Sequence, residues 1–329
     1  MMDFWQTLSK PVMALAPMED VTDAAFRKLI AKMAKPAVMF SEFTSADGLV
    51  LAPEKGQRIL RKKLIYSESE RPIAAQLFSA YPERMEKAAA LVQELGFDGI
   101  DINMGCPVRE VVETGCGAAL IKNPALAREL IHAARRGAPN IPLSIKTRIG
   151  YDKDDLDMWL PELLAEEPSA IIIHARTRKE MSDAPAHWDA IARAVKIRDS
   201  LQNPRGVTSR IKTLILGNGD VRDLGEARTR VEETACDGVM LGRAIYGNPW
   251  LFADRVELPS PQERIDALIE HLKLFDELLG DTTNYATMKK HFKAYISGWD
   301  NAKELRVRLM DTQNSKEAQE ILASAILRA

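Results

Sequence analysis

Eight short apolar segments, alternating with helix-length amphipathic stretches, predict an α/β fold: a TIM (β/α)8 barrel followed by a small C-terminal all-helical domain. Three observations carry this. The segments are rich in Val, Ile and Leu with little polar interruption, as strands of a parallel sheet covered by helices are. Their number and their spread over roughly 250 residues suit a closed barrel. Beyond Leu258-Pro259-Ser260-Pro261 the strands stop and only helical periodicity continues.

The strands are expected at 12–16, 37–40, 73–78, 99–103, 143–148, 170–174, 213–217 and 238–242, with helices at 22–33, 82–95, 124–136 and 188–198 among them. No Gly-x-Gly-x-x-Gly turn follows the first strand, which counts against an open doubly wound sheet. From 263 to 329, Leu, Ile and Phe recur at three- and four-residue steps. The Pro-Ser-Pro stretch reads as a linker or a helix start, so the boundary falls near Leu258. The expected domains are 1–258 and 259–329.

Composition narrows the function. Lys and Arg number 45 against 47 Asp and Glu, a net charge of -2, which excludes a chain basic throughout but permits a local basic face. No apolar run is long enough to cross a bilayer. The start, Met1-Met2-Asp3-Phe4-Trp5, lacks the basic residues and apolar stretch of a secretory signal, so a cytoplasmic protein without membrane contact is expected. Cys106, Cys116 and Cys236 are an odd, sparse set with no Cys-x-x-Cys pair, which suggests neither a disulfide framework nor a zinc site. No carboxylate-His ligand set stands out, so no metal is expected and a metal-dependent aldolase is disfavoured.

The chemistry should lie at the C-terminal ends of the strands, where barrels of this kind build their sites. Nearly every strand runs apolar and then finishes polar, so the polar ends should crowd one mouth. The ends are Pro17-Met18-Glu19-Asp20, Ser41-Glu42, Gln76, Asp101 and Asn103, Lys146 and Arg148, His174 and Arg176, Asn218-Gly219-Asp220, and Gly242-Arg243. Lys146 and Arg148 are two apart and leave the same face of their strand, as do Asp101 and Asn103. Two neighbouring cations repel unless an anion or an electron-rich ring lies between them, which points to an anionic cofactor or substrate. The glycines of Gly217-Asn218-Gly219-Asp220 let backbone approach a ligand closely. Gly242-Arg243-Ala244 precedes an expected short helix whose amides, with Arg243, would hold a phosphate. Cys106, between Gly105 and Pro107 just past the fourth strand, should sit at the mouth. An unperturbed thiol, with a pKa of roughly 8.5, stays protonated at neutral pH and is able to donate a proton. Cys116 reads as filling a tight turn and Cys236 as structural.

These segments together resemble the tRNA-dihydrouridine synthase family. The resemblance rests on Ala16-Pro17-Met18-Glu19 with Val21-Thr22-Asp23, on Asp101-Ile102-Asn103-Met104-Gly105-Cys106-Pro107, and on Gly115-Cys116-Gly117-Ala118-Ala119-Leu120. Lys146-Thr147-Arg148, His174-Ala175-Arg176-Thr177, Asn218-Gly219-Asp220 and Asp237-Gly238-Val239-Met240-Leu241-Gly242-Arg243 follow in the same order. Met288-Lys289-Lys290-His291 is similar to the family's helical domain. The resemblance implies bound FMN, with NADPH as electron donor. It would place Pro17, Met18 and Glu19 along the isoalloxazine, with Gln76, Lys146 and His174 on the ring or ribityl chain. Asn218, Gly219, Asp220, Gly242 and Arg243 would surround the phosphate, and Asn103, Arg148 and Arg176 would lie near the target uracil. The implied reaction reduces the C5=C6 bond of particular tRNA uridines: hydride from reduced FMN reaches C6 and Cys106 gives a proton to C5. The target base would have to leave the RNA fold to reach the site.

Met181-Ser182-Asp183-Ala184-Pro185-Ala186 departs from the family pattern, which often has an aromatic and a Gly there. Cationic clusters that would grip tRNA phosphates are Arg27, Lys28, Lys32 and Lys35, then Lys55, Arg58, Arg61, Lys62 and Lys63, and in the helical domain Lys289, Lys290, His291 and Lys293. The rival readings are an FMN barrel acting on a free pyrimidine, such as a dihydroorotate dehydrogenase, and a non-catalytic RNA-binding barrel. The Gly-Cys-Pro loop and helical tail disfavour the first, and the ring of polar strand ends the second. The chain is expected to act as a monomer.

Overall fold

In a computed structural model, residues 3–202, 212–255 and 257–326 are described. The last three residues of the expected helical domain, and Met1-Met2 of the expected leaderless start, lie outside them. Among the described residues nine parallel strands form the sheet: β1 (Val12–Leu15), β2 (Met39–Phe40), β3 (Thr44–Ser45), β4 (Ile73–Phe78), β5 (Gly99–Met104), β6 (Leu143–Gly150), β7 (Ala170–Thr177), β8 (Leu214–Asn218) and β9 (Gly238–Leu241). Their order is β1-β9-β8-β7-β6-β5-β4-β2, and β3 adds two residues beside the end of β4. The ring closes where Ala37 N donates to Met13 O at 2.8 Å and Leu15 N to Val38 O at 3.1 Å. All eight apolar segments are therefore barrel strands. β3 was not foreseen because Thr44-Ser45 has no apolar run to signal it.

Around the barrel lie α1 (Ala24–Ala34), α2 (Ala46–Leu51), α3 (Glu54–Lys62), α4 (Pro82–Glu94), α5 (Arg109–Val112), α6 (Pro124–Gly137), α7 (Leu156–Leu164), α8 (Trp188–Gln202) and α9 (Leu224–Thr234). Strand alternation divides the core in two. One cluster joins the strands to the helices; the other contains strand residues such as Val12, Ala14, Phe40, Ile172, Leu214 and Met240, with Trp5. The second is the barrel interior, since successive side chains leave opposite faces. Closure requires a residue without a side chain at Gly238: a Cβ there would lie 2.1 Å from Val12 O.

Among the described residues four further helices follow: α10 (Pro261–Leu278), α11 (Ala286–Tyr295), α12 (Ala302–Asp311) and α13 (Ser315–Ile326). A capping box explains the start of α10. Ser260 Oγ accepts from Glu263 N, and the Glu263 side chain accepts from Ser260 N, with Pro261 in the first turn. α10 docks on α1, where Phe26 stacks on His271 with ring centroids 4.8 Å apart. Lys28–Glu277 at 3.1 Å and Lys32–Glu270 at 2.8 Å flank that contact.

Candidate active site

Within the barrel, β4, β5 and β6 break the apolar filling with Gln76, Asp101, Asn103, Ser144 and Lys146. Register sets Gln76 beside Asp101, and Asn103 beside Lys146. Ser144 Oγ donates to Asp101 Oδ1 at 2.6 Å, and Gln76 Nε2 donates to Asp101 Oδ2 at 2.7 Å. Asn103 Nδ2 donates to Gln76 Oε1 at 3.0 Å, while Asn103 Oδ1 accepts from Gly105 N at 3.1 Å and Cys106 N at 2.8 Å. Backbone N–H groups only donate, so the loop dictates both amide orientations and leaves Asp101 as acceptor. Burial raises the Asp101 carboxyl to about 6, against hydrogen bonds from Ser144 and Gln76 and the charge of Lys146. At neutral pH it is mainly ionised.

This network ends on the cysteine loop. The thiol of Cys106 is pushed above its ordinary value by burial, with the Val108 backbone, Arg148 and Lys146 opposing and Glu19 reinforcing the shift. It is therefore protonated at neutral pH. Cys106 O accepts from Ala118 N at 3.0 Å. Gly117, at φ +59, packs so close that a Cβ would lie 2.8 Å from that oxygen. Arg148 spends its donors on backbone, with Nε to Gly105 O at 2.8 Å and one terminal nitrogen to Thr177 O at 2.9 Å and Met181 O at 3.0 Å. It braces the cysteine loop against the segment after β7.

A second set of residues surrounds a cavity of about 260 Å3 one strand away. Pro17 and Met18 form one wall, Lys146, His174 and Arg176 another, and Asn218, Gly219, Asp220, Gly242 and Arg243 the rest. Lys146 Nζ donates to Asn218 Oδ1 at 3.2 Å, and Asn218 Nδ2 donates to Met240 O at 2.8 Å. Burial, with Arg148 nearby, brings Lys146 down to about 8. Burial and the surrounding cations also keep His174 neutral. An Arg176 terminal nitrogen lies 3.1 Å from His174 Nε2; guanidinium only donates, so Nε2 accepts and the imidazole proton sits on Nδ1. Asp220 pairs with Arg176 through one oxygen and with Arg243 at 2.6 Å through the other. Asp220 thus fixes the direction of two arginines at the cavity wall.

The strand ends thus form two neighbouring groups where the sequence suggested a single ring. Gln76, Asn103, Cys106 and Arg148 belong to the first, ten of the expected residues line the cavity, and Lys146 links the two through its register with Asn103. Glu19 does not line the cavity: it pairs with Lys63 and stands with Asp20 and Glu42 in a carboxylate cluster, from which its charge still reaches Cys106. Glu42 in that cluster is pushed up to about 7 by burial. The short helix expected after Gly242 is one 3-10 turn, Arg243–Ile245. Sequence reasoning missed Ala16, Ser182, Val221 and Met240 in the cavity wall. Ser182 lies in the segment that departs from the family pattern, and that segment is anchored by Ala186 N donating to Asp220 Oδ2 at 3.0 Å.

The expected RNA-gripping clusters need correction. Arg27 is wholly buried, its Nε donating to Glu70 Oε2 at 2.8 Å, because it lies on the inward face of α1. His291 is buried too. Lys28, Lys32, Arg58, Lys62, Lys63 and Lys290 pair with carboxylates. Lys35 and Lys289 bond to the backbone carbonyls of Arg71 and Met310, and among the described residues no ion pair is seen for them or for Lys55, Arg61 and Lys293.

A closed parallel barrel with a cationic cavity at the C-terminal ends of its strands, and a protonated loop cysteine near it, defines the class: a (β/α)8 barrel enzyme. Morphinone reductase shares the fold, with a TM-score of 0.52 at 13% identity over 79% of this chain and 90% of that one. Histamine dehydrogenase from Rhizobium sp. 4-9 shares it as well, with a TM-score of 0.53 at 11% identity over 80% of this chain and 48% of that one. Sequence comparison goes further. The probable tRNA-dihydrouridine synthase 2 of Bacillus subtilis (strain 168) is 38% identical over 97% of this chain and 95% of that protein. A probable tRNA-dihydrouridine synthase of Staphylococcus aureus (strain COL) is 38% identical over 97% of this chain and 94% of that protein. Residues 14–329 match the dihydrouridine synthase (Dus) family, and the chain belongs to that family of oxidoreductases. No helix among the described residues is long and apolar enough to cross a membrane.

Proposed function

We propose that the protein reduces the C5=C6 bond of particular uridines in tRNA to dihydrouridine, using FMN and NADPH, as a cytoplasmic monomer. Residues 1–258 form the catalytic barrel in this reading and 259–329 the tRNA-binding domain. The cavity suits a flavin phosphate and ribityl chain. Lys146, Arg176 and Arg243 set three cations against the single carboxylate of Asp220. Gly219, at φ +133, has no room for a side chain, since a Cβ would lie 2.9 Å from Ala186 Cβ. A flavin held there would supply the hydride chemistry for C6 of the uracil, with NADPH as the electron source.

The chain's own residues do the rest. Pro17 and Met18 pack beside the ring; Lys146, His174 and Asn218 fix its polar edge; Gly242 and Arg243 hold the phosphate. Asn103, with Arg176 and Arg148 around it, orients the uracil. The Cys106 thiol gives its proton to C5 as the C6–H bond forms, and the thiolate left behind is reprotonated from solvent. One observation carries the assignment: a thiol held protonated by burial, on a loop pinned by Asn103, next to the strand that presents Lys146 to the cavity.

The test is the Cys106→Ala variant with flavin bound. NADPH oxidation should persist while dihydrouridine formation in unmodified tRNA falls at least about 100-fold, the span of general-acid contributions. Wild-type turnover by that variant, or a purified wild-type protein without flavin absorbance, refutes the proposal. Free uracil in place of tRNA should give no product.

A further inference from the structure

We propose that Asp101 is a positioning residue for the reaction, acting through Gln76 and Asn103 on the loop that carries Cys106. The inference rests on the reading of Cys106 as proton donor and concerns residues upstream of it. Its basis is the polarity of the hydrogen-bond chain. Gly105 N and Cys106 N must donate, so Asn103 presents its oxygen to them. The amide nitrogen of Asn103 must then donate to Gln76 Oε1, and Gln76 Nε2 must donate onward to Asp101 Oδ2. Ser144 Oγ approaches the other oxygen of Asp101 at 2.6 Å. A chain in which each link has one allowed direction needs a terminal acceptor, and Asp101 supplies it.

The site's surroundings make that order matter. Asp101 is fully buried, and Gln76 and Asn103 nearly so. A reversed amide would leave two donors or two acceptors face to face with no water to relieve them. The strain would fall on the end of the chain that lies outside the strands, the loop from Gly105 to Val108. Asn103 would then cease to hold Cys106, and its own amide would no longer face the uracil in one fixed orientation.

Charge and polarity are separable here. Asp101→Asn keeps an acceptor for Gln76 if its new amide nitrogen donates to Ser144 Oγ, whose hydroxyl then turns to Ile100 O. Gln76→Glu sets two carboxylates against each other. The double variant Asp101→Asn/Gln76→Glu restores the match. The carboxylate introduced at position 76 accepts from Asn103 and from the amide introduced at position 101, and the oxygen of that amide accepts from Ser144. Leucine at position 101 ends the chain without an acceptor.

The experiment measures the alkylation rate of Cys106 by iodoacetamide, read by peptide mass spectrometry on the flavin-loaded protein without tRNA, beside kcat and KM for tRNA. Gln76→Glu and Asp101→Leu should speed alkylation about tenfold, equivalent to about 1.4 kcal/mol of lost loop restraint. They should lower kcat about 100-fold with KM for tRNA within about threefold, as expected of a misplaced reacting group. Asp101→Asn/Gln76→Glu should recover most of both. Alkylation unaltered in Gln76→Glu, or a double variant no better than Gln76→Glu in yield, alkylation and kcat, overturns the proposal. Because alkylation needs no RNA, this result stands apart from failure of the functional reading, which a wild-type protein inactive on tRNA would reveal.

Discussion

His271→Phe should remove an acid-sensitive weakness at the junction of α1 and α10. His271 is fully buried, stacked on Phe26 and 4.7 Å from the His291 ring, and neither of its nitrogens has a hydrogen-bond partner. Burial, aided by His291, holds its pKa well below the ordinary 6.5. The folded protein therefore keeps this imidazole neutral, whereas the unfolded chain takes up a proton below pH 6.5. Where the unfolded state binds more protons, stability rises with pH, so this group's destabilisation sets in as pH falls below 6.5. One unit lower, at pH 5.5, it amounts to about 1.4 kcal/mol, and at pH 7.5 to almost nothing. Phenylalanine keeps the stack and cannot take up the proton. Its packing offset, of either sign, is the same at both pH values. Nearby Asp23, raised to about 6 by burial, works in the opposite direction but is present in both proteins and cancels from the difference. Urea unfolding followed by tryptophan fluorescence should show the variant gaining about 1.4 kcal/mol on wild type between pH 7.5 and 5.5. An identical difference at the two pH values refutes the reasoning.

Arg243→Ala should weaken FMN retention about 10- to 100-fold, the worth of a hydrogen bond to a charged group, as measured by equilibrium dialysis; undiminished occupancy would contradict the phosphate role. Lys146, at about 8, loses its charge as pH rises from 7 to 9, so FMN affinity should fall over that window in wild type and stay flat in Lys146→Met, read by flavin fluorescence titration. The same slope in both proteins would remove Lys146 from the anion site. Gly238→Ala forces a Cβ against Val12 O at 2.1 Å and should cost at least about 3 kcal/mol or prevent soluble expression, measured by thermal unfolding. A variant as stable as wild type would show that the β1–β9 seam yields.

The strands were legible because each buries both faces and so reads as an apolar run. β7 illustrates this, with Ile171 and Ile173 packing towards the helices while Ala170 and Ile172 fill the barrel interior. The polar ends were legible as a set, but their partition was not. Nothing in the local sequence says that Gln76 and Asn103 spend their amides on each other while Lys146 turns to Asn218. That depends on register between strands. Ser182 escaped notice because a cavity wall made by an irregular segment leaves no periodic trace. Arg27 and His291 misled for a different reason: a charge count along a helix does not distinguish an inward-facing cation from an outward one until the neighbouring helix is in place.

The carboxylate-paired lysines have a consequence for how this protein would respond to salt. Polyanion affinity falls with ionic strength in proportion to the number of phosphates neutralised by cations that a complex sets free from their own small-ion atmosphere. Lys28 and Lys32 are already satisfied by Glu277 and Glu270, and fasten one part of the chain to another. They would contribute little to that slope. The steepness of a binding isotherm against potassium chloride should therefore reflect a short roster headed by Lys55, Arg61 and Lys293, well below the number of basic residues on the surface.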